Sequence, residues 1–177
     1  MWRALVRFVI GAAIAIPLWW LTLSLQTAFL ASAGAPVVHL DARFKSATLD
    51  PSGGTITIRS PQRAFSASTI PVEQITYPLV LLLALFASAR FPFRDRNVIA
   101  FVKSLLVTAT IAVIALVLWI ESCYGFRSGV WSAAHYSRGA GLAWASLQTM
   151  MQIVGGPAIV FGCWWLWSPG LRGAEYS

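Results

Sequence analysis

The chain has 177 residues, of which 58% are hydrophobic and only 11% are charged, and its formal net charge is +7. A soluble domain carries about 25% charged residues, so this composition excludes an ordinary soluble enzyme and indicates an integral membrane protein. The basic residues are spread over loop ends, which fits anionic membrane lipid and argues against a nucleic-acid partner. Two cysteines are too few for a disulfide framework.

The first apolar segment predicts a transmembrane helix within residues 1–33. Arg3 and Arg7 precede a run that is long enough to cross the hydrocarbon core. The stretch Ala31-Ser32-Ala33 also resembles a signal-peptidase site, so a cleaved signal peptide is the alternative. The apolar run exceeds the roughly 7–15 residues of a signal core, which favours an uncleaved helix.

Three further transmembrane helices are predicted within residues 72–177, at about 72–89, 98–121 and 139–167. Short loops rich in arginine stay in the cytoplasm, and Arg90, Arg94 and Arg96 cluster between the second and third helices. This cluster predicts a bacterial inner-membrane protein with both termini in the cytoplasm. A kink is expected in the last helix at Gly155-Gly156-Pro157.

Residues 34–71 predict a small extracytoplasmic β-rich insertion between helices 1 and 2. Polar and apolar residues alternate over 38–45 and over 55–59, and turn residues lie between the two runs. A third strand is expected near 64–70. Two or three strands cannot bury their apolar face alone, so that face predicts a binding surface for a protein partner. Its residues are Val38, Leu40, Phe44, Ile56 and Ile58, with Arg43 and Arg59 at its rim.

The second outer loop contains the residue types of a cysteine enzyme. A thiol becomes a nucleophile when a base or cation favours its thiolate, and Cys123, Arg127 and His135 share this loop. The alternative interpretation is a small interfacial cysteine beside unrelated loop residues. With His39 as the only other histidine, no Cys/His cluster has ligand spacing, so neither a metal nor a cofactor is predicted.

Other polar residues near the predicted helices indicate structural roles. Glu121 is expected to pair with Arg127 or Arg138 at the outer surface. Gln148 and Gln152 lie four residues apart, and Gln26 lies four residues after a threonine, so these amides are expected to bond between helices. Residues 126–134 suggest either a short interfacial helix or an ordinary loop.

The order of these parts resembles a known family. A basic start precedes Ile16-Pro17-Leu18-Trp19-Trp20, a segment of about 40 residues with a glycine-rich turn follows, and then comes the run Tyr77-Pro78-Leu79 to Leu85. This layout is similar to that of small integral membrane proteins associated with exosortase H. The resemblance implies an accessory protein of a bacterial envelope protein-sorting transpeptidase, and it implies no catalytic residues.

The sequence therefore predicts a mainly α membrane protein that acts as an accessory or scaffolding subunit for an envelope partner. Two alternatives stay open. One is a membrane cysteine transpeptidase or peptidase that uses Cys123, and the other is a small transporter or channel subunit.

Overall fold

The computed structural model describes residues 2–59, 67–88, 95–126 and 128–167, without the side chains of Arg3 and Ala4. These residues are mainly helical and include one three-stranded sheet. The prediction of a mainly α protein with a small β insertion is therefore confirmed. The helices are α1 (Trp2–Leu21), α2 (Leu23–Val38), α3 (Glu73–Thr76), α4 (Pro78–Ala87), α5 (Asp95–Phe126), α6 (Val130–His135), α7 (Arg138–Met150) and α8 (Gly156–Trp167). The strands are β1 (Thr48–Ser52), β2 (Thr55–Arg59) and β3 (Ser68–Pro71).

Two helical segments are long and apolar enough to cross a membrane, Asp95–Phe126 and Arg138–Trp167. The second contains α7, a π-helical stretch at Met151–Gly155 and α8. The bent pair of α1 and α2 counts as a third candidate if it is taken as one span. The second predicted span is represented among the described residues by the shorter apolar segment Glu73–Ala87. The described ranges thus contain two or three candidate spans, not the four predicted.

The first predicted helix is wrong in both its continuity and its end. The helix breaks at Thr22, whose backbone lies at φ −93° and ψ 2°, and then resumes as α2 up to Val38. Gln26 Nε2 donates to Thr22 Oγ1 at 2.9 Å, so this polar pair lies at the break. Because both halves are apolar, hydropathy alone does not reveal the division.

The predicted β-hairpin is confirmed in its second strand, 55–59, and in its turn, whereas its first strand lies at 48–52 and not at the predicted 38–45. Strands β1 and β2 are antiparallel with Leu49 opposite Ile58, and Gly53 in the connecting turn has a φ of 62°. A left-handed φ of this kind favours glycine. Strand β3 pairs antiparallel with β2, and Ile70 lies opposite Ile56, so the expected third strand is present at 68–71. Residues 60–66, which include the start of its predicted range, lie outside the described residues.

The strand predicted over residues 38–45 is not formed. Val38 ends α2, and Ala42–Phe44 form a 3-10 turn instead. The Asp41 carboxylate accepts a hydrogen bond from Arg43 N at 2.9 Å, and such local bonds favour turns over strands. Val38 and Phe44 are both buried, whereas Leu40 between them is 84% exposed, so burial does not follow the alternation of the sequence.

The chain divides into two compact units. The first comprises Met1–Leu21, Tyr77–Ile111 and Val154–Ser177, and its core contains Leu82, Leu85, Phe86, Ala100 and Val160. Helix α4 packs against α1 and α8. The contact with α1 is close, because a Cβ at Gly11 would lie 2.7 Å from Ala87 Cβ.

The second unit comprises Thr22–Thr76 and Ala112–Ile153. Helix α2 packs against β1 and β2, so a helix of the same chain covers the sheet. Gly34 of α2 approaches Leu116 of α5, since a Cβ at Gly34 would lie 2.6 Å from Leu116 Cδ2. The fully buried side chains of the second unit include Phe44, Ile56, Ile58, Ile70, Val72, Leu116, Ile120 and Tyr124.

Candidate functional site

The best-defined polar cluster of the second unit is centred on Arg43. The 3-10 turn presents this arginine two residues after Asp41, whose carboxylate caps the turn. Arg43 Nε donates to Asp41 Oδ1 and Oδ2 at 3.0 and 3.1 Å, and Arg43 Nη2 also donates to Oδ2. The local sequence therefore holds the guanidinium in one orientation.

The same guanidinium reaches a second carboxylate near the end of α5. Arg43 Nη2 donates to Glu121 Oε1 and Oε2 at 3.0 and 3.2 Å. Tyr136, which follows α6, donates its hydroxyl to Glu121 Oε2 at 2.6 Å. The Arg43 guanidinium carbon also lies 4.1 Å from the centre of the Tyr136 ring. We call these four residues, Asp41, Arg43, Glu121 and Tyr136, the Arg43 cluster.

Charge and burial in the Arg43 cluster stabilise one protonation pattern. The Glu121 side chain is 7% exposed, whereas Arg43 and Asp41 are 27% and 29% exposed. The hydrogen bonds from Arg43 lower the pKa of Asp41 to about 2. Burial, with the hydrogen bond to Glu121, raises the pKa of the Tyr136 hydroxyl. At neutral pH the tyrosine is therefore a proton donor and Asp41 is an anion.

Aromatic side chains pack beside the Arg43 cluster. Phe44 is 1% exposed, and its ring centre lies 5.4 Å from that of Tyr124 and 6.1 Å from that of Trp131. The ring of His135 stacks on Trp131 at 4.2 Å. In α6, Ser132 is buried and donates its hydroxyl to Tyr124 O at 2.5 Å. Of the two structures predicted for residues 126–134, a short helix or an ordinary loop, the structure contains the short helix, α6. Val130 at the start of this helix is 89% exposed.

The apolar surface that was predicted to bind a partner is mostly buried by the chain itself. Val38 and Phe44 are 3% and 1% exposed, and Ile56 and Ile58 are fully buried. Of the five apolar residues, only Leu40 is exposed, at 84%. The physical reason is that α2 covers the sheet and the 3-10 turn directs Phe44 into the aromatic core.

The two predicted rim arginines differ in their surroundings. Arg43 lies between two carboxylates and does not present a free positive charge. Arg59 is 65% exposed and lies 3.4 Å from the exposed carboxylate of Asp50. Lys45 is also exposed. Of the residues predicted at this surface, Leu40 and Arg59 are thus exposed, and Lys45 of the insertion is exposed as well.

The thiol that the cysteine-enzyme alternative requires is not accessible in the structure. Cys123 is 6% exposed, and its carbonyl accepts a hydrogen bond from Ser128 Oγ at 3.4 Å. His135 Nδ1 donates to Trp131 O at 2.9 Å. Arg127 lies outside the described residues. Cys123 and Cys163 are both free thiols.

One of the predicted interhelical glutamine bonds is confirmed. Gln152 Nε2 donates to Gln74 Oε1 at 2.9 Å, which joins the π-helical stretch to α3. Gln148 Nε2 donates to Gln152 Oε1 at 2.8 Å within the same helical segment. In its hydrogen bond at the helix break, the Gln26 side-chain nitrogen donates to Thr22, four residues earlier in the chain, and not to a residue of another helix.

Glu121 pairs with Arg43 and is buried, so it does not lie at the surface as expected. Of its two expected partners, Arg127 lies outside the described residues. Arg43 and Glu121 are 78 positions apart, and no spacing rule connects residues at that distance. The sequence offered two signals for this ion pair, an isolated acid near a helix end and an arginine close to a capping aspartate. The Arg43 cluster joins the 3-10 turn, α5 and the residue that follows α6. Within the described ranges no group of three His, Cys, Asp or Glu residues could hold a metal ion.

Comparisons with protein families, with curated protein sequences and with solved structures found no match to this chain.

Proposed function

We propose that this chain is a non-catalytic subunit of the bacterial inner membrane that presents its outer insertion to an envelope partner. The accessory role in a protein-sorting system that the exosortase H resemblance implies belongs to the same proposal. In this proposal both termini lie in the cytoplasm and the insertion lies on the outer side, which requires that the bent pair of α1 and α2 and the shorter apolar segment Glu73–Ala87 also cross the membrane. Asp95–Phe126 and Arg138–Trp167 are the helices that have the length and composition for crossing.

The Arg43 cluster is the observation that carries the proposal. It fixes the 3-10 turn of the insertion to α5 with a buried ion pair. Ion pairs of this kind are better attested as devices that specify one arrangement than as sources of stability. A subunit that must present one surface to a partner needs such a fixed arrangement.

The chemistry of the candidate residues also favours binding over catalysis. Nucleophilic catalysis requires an accessible, activated thiol, whereas Cys123 is buried. In the described part of the second unit, both acids of the Arg43 cluster are engaged by hydrogen bonds. Neither is left facing a cavity as a general acid or base.

The proposed docking residues are three exposed residues of the insertion, Leu40, Lys45 and Arg59. An exposed leucine supplies apolar area, and exposed cations steer an acidic partner during encounter. Val38, Phe44, Ile56 and Ile58 support this surface from beneath as the core of the insertion.

Co-purification tests the proposal. The full chain would be isolated from bacterial membranes in mild detergent, and bound proteins would be identified by mass spectrometry. We expect one envelope protein to be retained by the native chain and by Cys123→Ser, and to be lost from the Leu40→Asp/Arg59→Glu variant.

A matched control variant separates docking from general effects of charge. Val130→Asp/Arg138→Glu introduces the same changes at exposed positions outside the insertion, and we expect it to retain the partner. Equal retention by both double variants would place docking elsewhere. If Cys123→Ser alone abolished the protein-sorting activity, the accessory role would be wrong and the cysteine-enzyme alternative would replace it.

A further inference from the structure

The first unit contains an open cleft with a basic lining, separate from the Arg43 cluster. Its volume is about 290 Å³, and it is lined by Arg96, Ile99, Ala100, Lys103 and Trp167. All five residues belong to the first compact unit. The proposed docking function does not involve this cleft.

Helical spacing brings the two cations of the cleft to one face of α5. Arg96, Ile99 and Lys103 occupy positions i, i+3 and i+7, which lie above one another over two turns. Their Cα atoms are about 10 Å apart from first to last along the helix axis. Ala100, which is 4% exposed, forms an apolar floor between the two positive charges.

Both cations are available to an anion. Arg96 and Lys103 are exposed, and within residues 2–59, 67–88, 95–126 and 128–167 neither forms an ion pair with a carboxylate. The nearest acidic residue in the sequence, Asp95, does not line the cleft.

The cleft lies at the ends of both candidate spans. Arg96 is the second residue of Asp95–Phe126, and Trp167 is the last residue of Arg138–Trp167. Span ends lie at the depth of the lipid head groups, where tryptophan is enriched because its ring is apolar and its N–H is polar. The Lys103 side chain can extend towards the same depth from about two turns further in.

We propose that this cleft binds the headgroup phosphate of an anionic phospholipid. The Arg96 guanidinium suits a phosphate because its N–H groups match two phosphate oxygens, while Lys103 contributes a second positive charge. Ile99 and Ala100 contact the glycerol and the first methylenes, and Trp167 forms a side wall. Basic pockets of this kind between membrane helices bind anionic head groups.

Native mass spectrometry of the full chain in mild detergent tests this site. Phosphatidylglycerol and phosphatidylcholine with identical acyl chains would be titrated separately. We expect phosphatidylglycerol to bind at least about tenfold more tightly. Each basic residue near an anionic lipid contributes enough that Arg96→Gln/Lys103→Gln should weaken its binding about 30-fold.

Matched variants make the result specific to the cleft. Lys45→Gln/Arg138→Gln changes the net charge equally and should bind phosphatidylglycerol like the native chain. Arg96→Lys/Lys103→Arg keeps both charges and should also bind. Trp167→Ala should weaken binding more than Trp165→Ala, because Trp165 does not line the cleft.

Three results would overturn the proposal. One is equal binding of both lipids, and another is equal loss of phosphatidylglycerol in the control double variant. The third is complete displacement of phosphatidylglycerol by millimolar inorganic phosphate, which would make a free phosphate the ligand. If Arg96→Gln/Lys103→Gln fails to fold, the comparison of Trp167→Ala with Trp165→Ala decides the question.

Discussion

Arg43 Nη2 lies 3.0 Å from Glu121 Oε1, although 78 residues separate the two in the chain. This ion pair joins the 3-10 turn at Ala42–Phe44 to the last part of α5, and Tyr136 completes the environment of the carboxylate. The arrangement predicts that the second unit depends on a single buried charge pair.

Removal of Arg43 is therefore expected to destabilise the fold strongly. Arg43→Met should lower the free energy of unfolding in detergent by about 3 kcal/mol, because it leaves the Glu121 carboxylate buried without its cation. Arg59→Met is the matched control, since its pair with Asp50 is exposed, and it should cost less than about 1 kcal/mol. Similar losses of unfolding free energy in both variants would show that the Arg43 ion pair stabilises the fold no more than an exposed pair does.

The burial of Phe44 separates a structural role from a docking role. Phe44→Ala should lower the free energy of unfolding by about 3–5 kcal/mol, because it leaves a cavity beside Tyr124. Leu40→Ala should change it by less than about 0.5 kcal/mol, because Leu40 is 84% exposed. Denaturant unfolding followed by fluorescence measures both, and a stable Phe44→Ala protein would contradict the buried assignment.

Helix contact in the second unit depends on the absence of a side chain at Gly141. A Cβ at this position would collide with Gly125 O. Gly141→Ala should therefore destabilise the protein by about 1–3 kcal/mol. Gly162→Ala is the control in another helix, because no atom lies within 4 Å of its added Cβ, and it should be neutral or slightly stabilising. The melting temperatures of the two variants measure the difference, and equal values would contradict the close contact between Gly141 and Gly125.

The low pKa of Asp41 predicts a specific acid dependence. Its pKa is about 2 in the folded protein against 3.8 without its partners, so the stabilisation is complete above about pH 5 and decreases as the pH falls from about 4 to 2. Because the carboxylate is partly exposed, we expect about 1–2 kcal/mol. Asp41→Asn keeps a capping residue and should be less stable than the native protein at pH 7.

The same measurement at low pH completes this test. The stability difference between the native protein and Asp41→Asn should disappear near pH 2, whereas Asp50→Asn should show a smaller difference throughout. A difference for Asp41→Asn that does not change between pH 7 and pH 2 would exclude the assigned ionisation.

Local signals in the sequence predicted some parts of the fold and missed others. The second strand of the hairpin and its turn were found because Ile56 and Ile58 alternate beside Gly53, and both signals are local. The break at Thr22 was missed because it lies inside a continuously apolar run. The strand at 38–45 was wrong because these alternating residues belong to a helix end and a capped turn, where Val38 and Phe44 are buried and Leu40 is exposed.

The candidate site depended on contacts that local patterns do not encode. Arg43 was expected at a partner-binding rim, yet Glu121 reaches it through the packing of the whole second unit. The apolar face was identified from its residues, but the element that covers it is α2. Pattern analysis recognises that a face must be buried and does not identify the element that buries it.

Labelling of single cysteines in intact cells tests the membrane orientation on which both proposals depend. Asp50→Cys and Arg96→Cys would be placed separately in a chain that carries Cys123→Ala and Cys163→Ala, and treated with a membrane-impermeant maleimide. We expect position 50 to react from outside the inner membrane and position 96 to react only after lysis. A position 50 that reacts only after lysis, together with a position 96 that reacts in intact cells, would contradict the account.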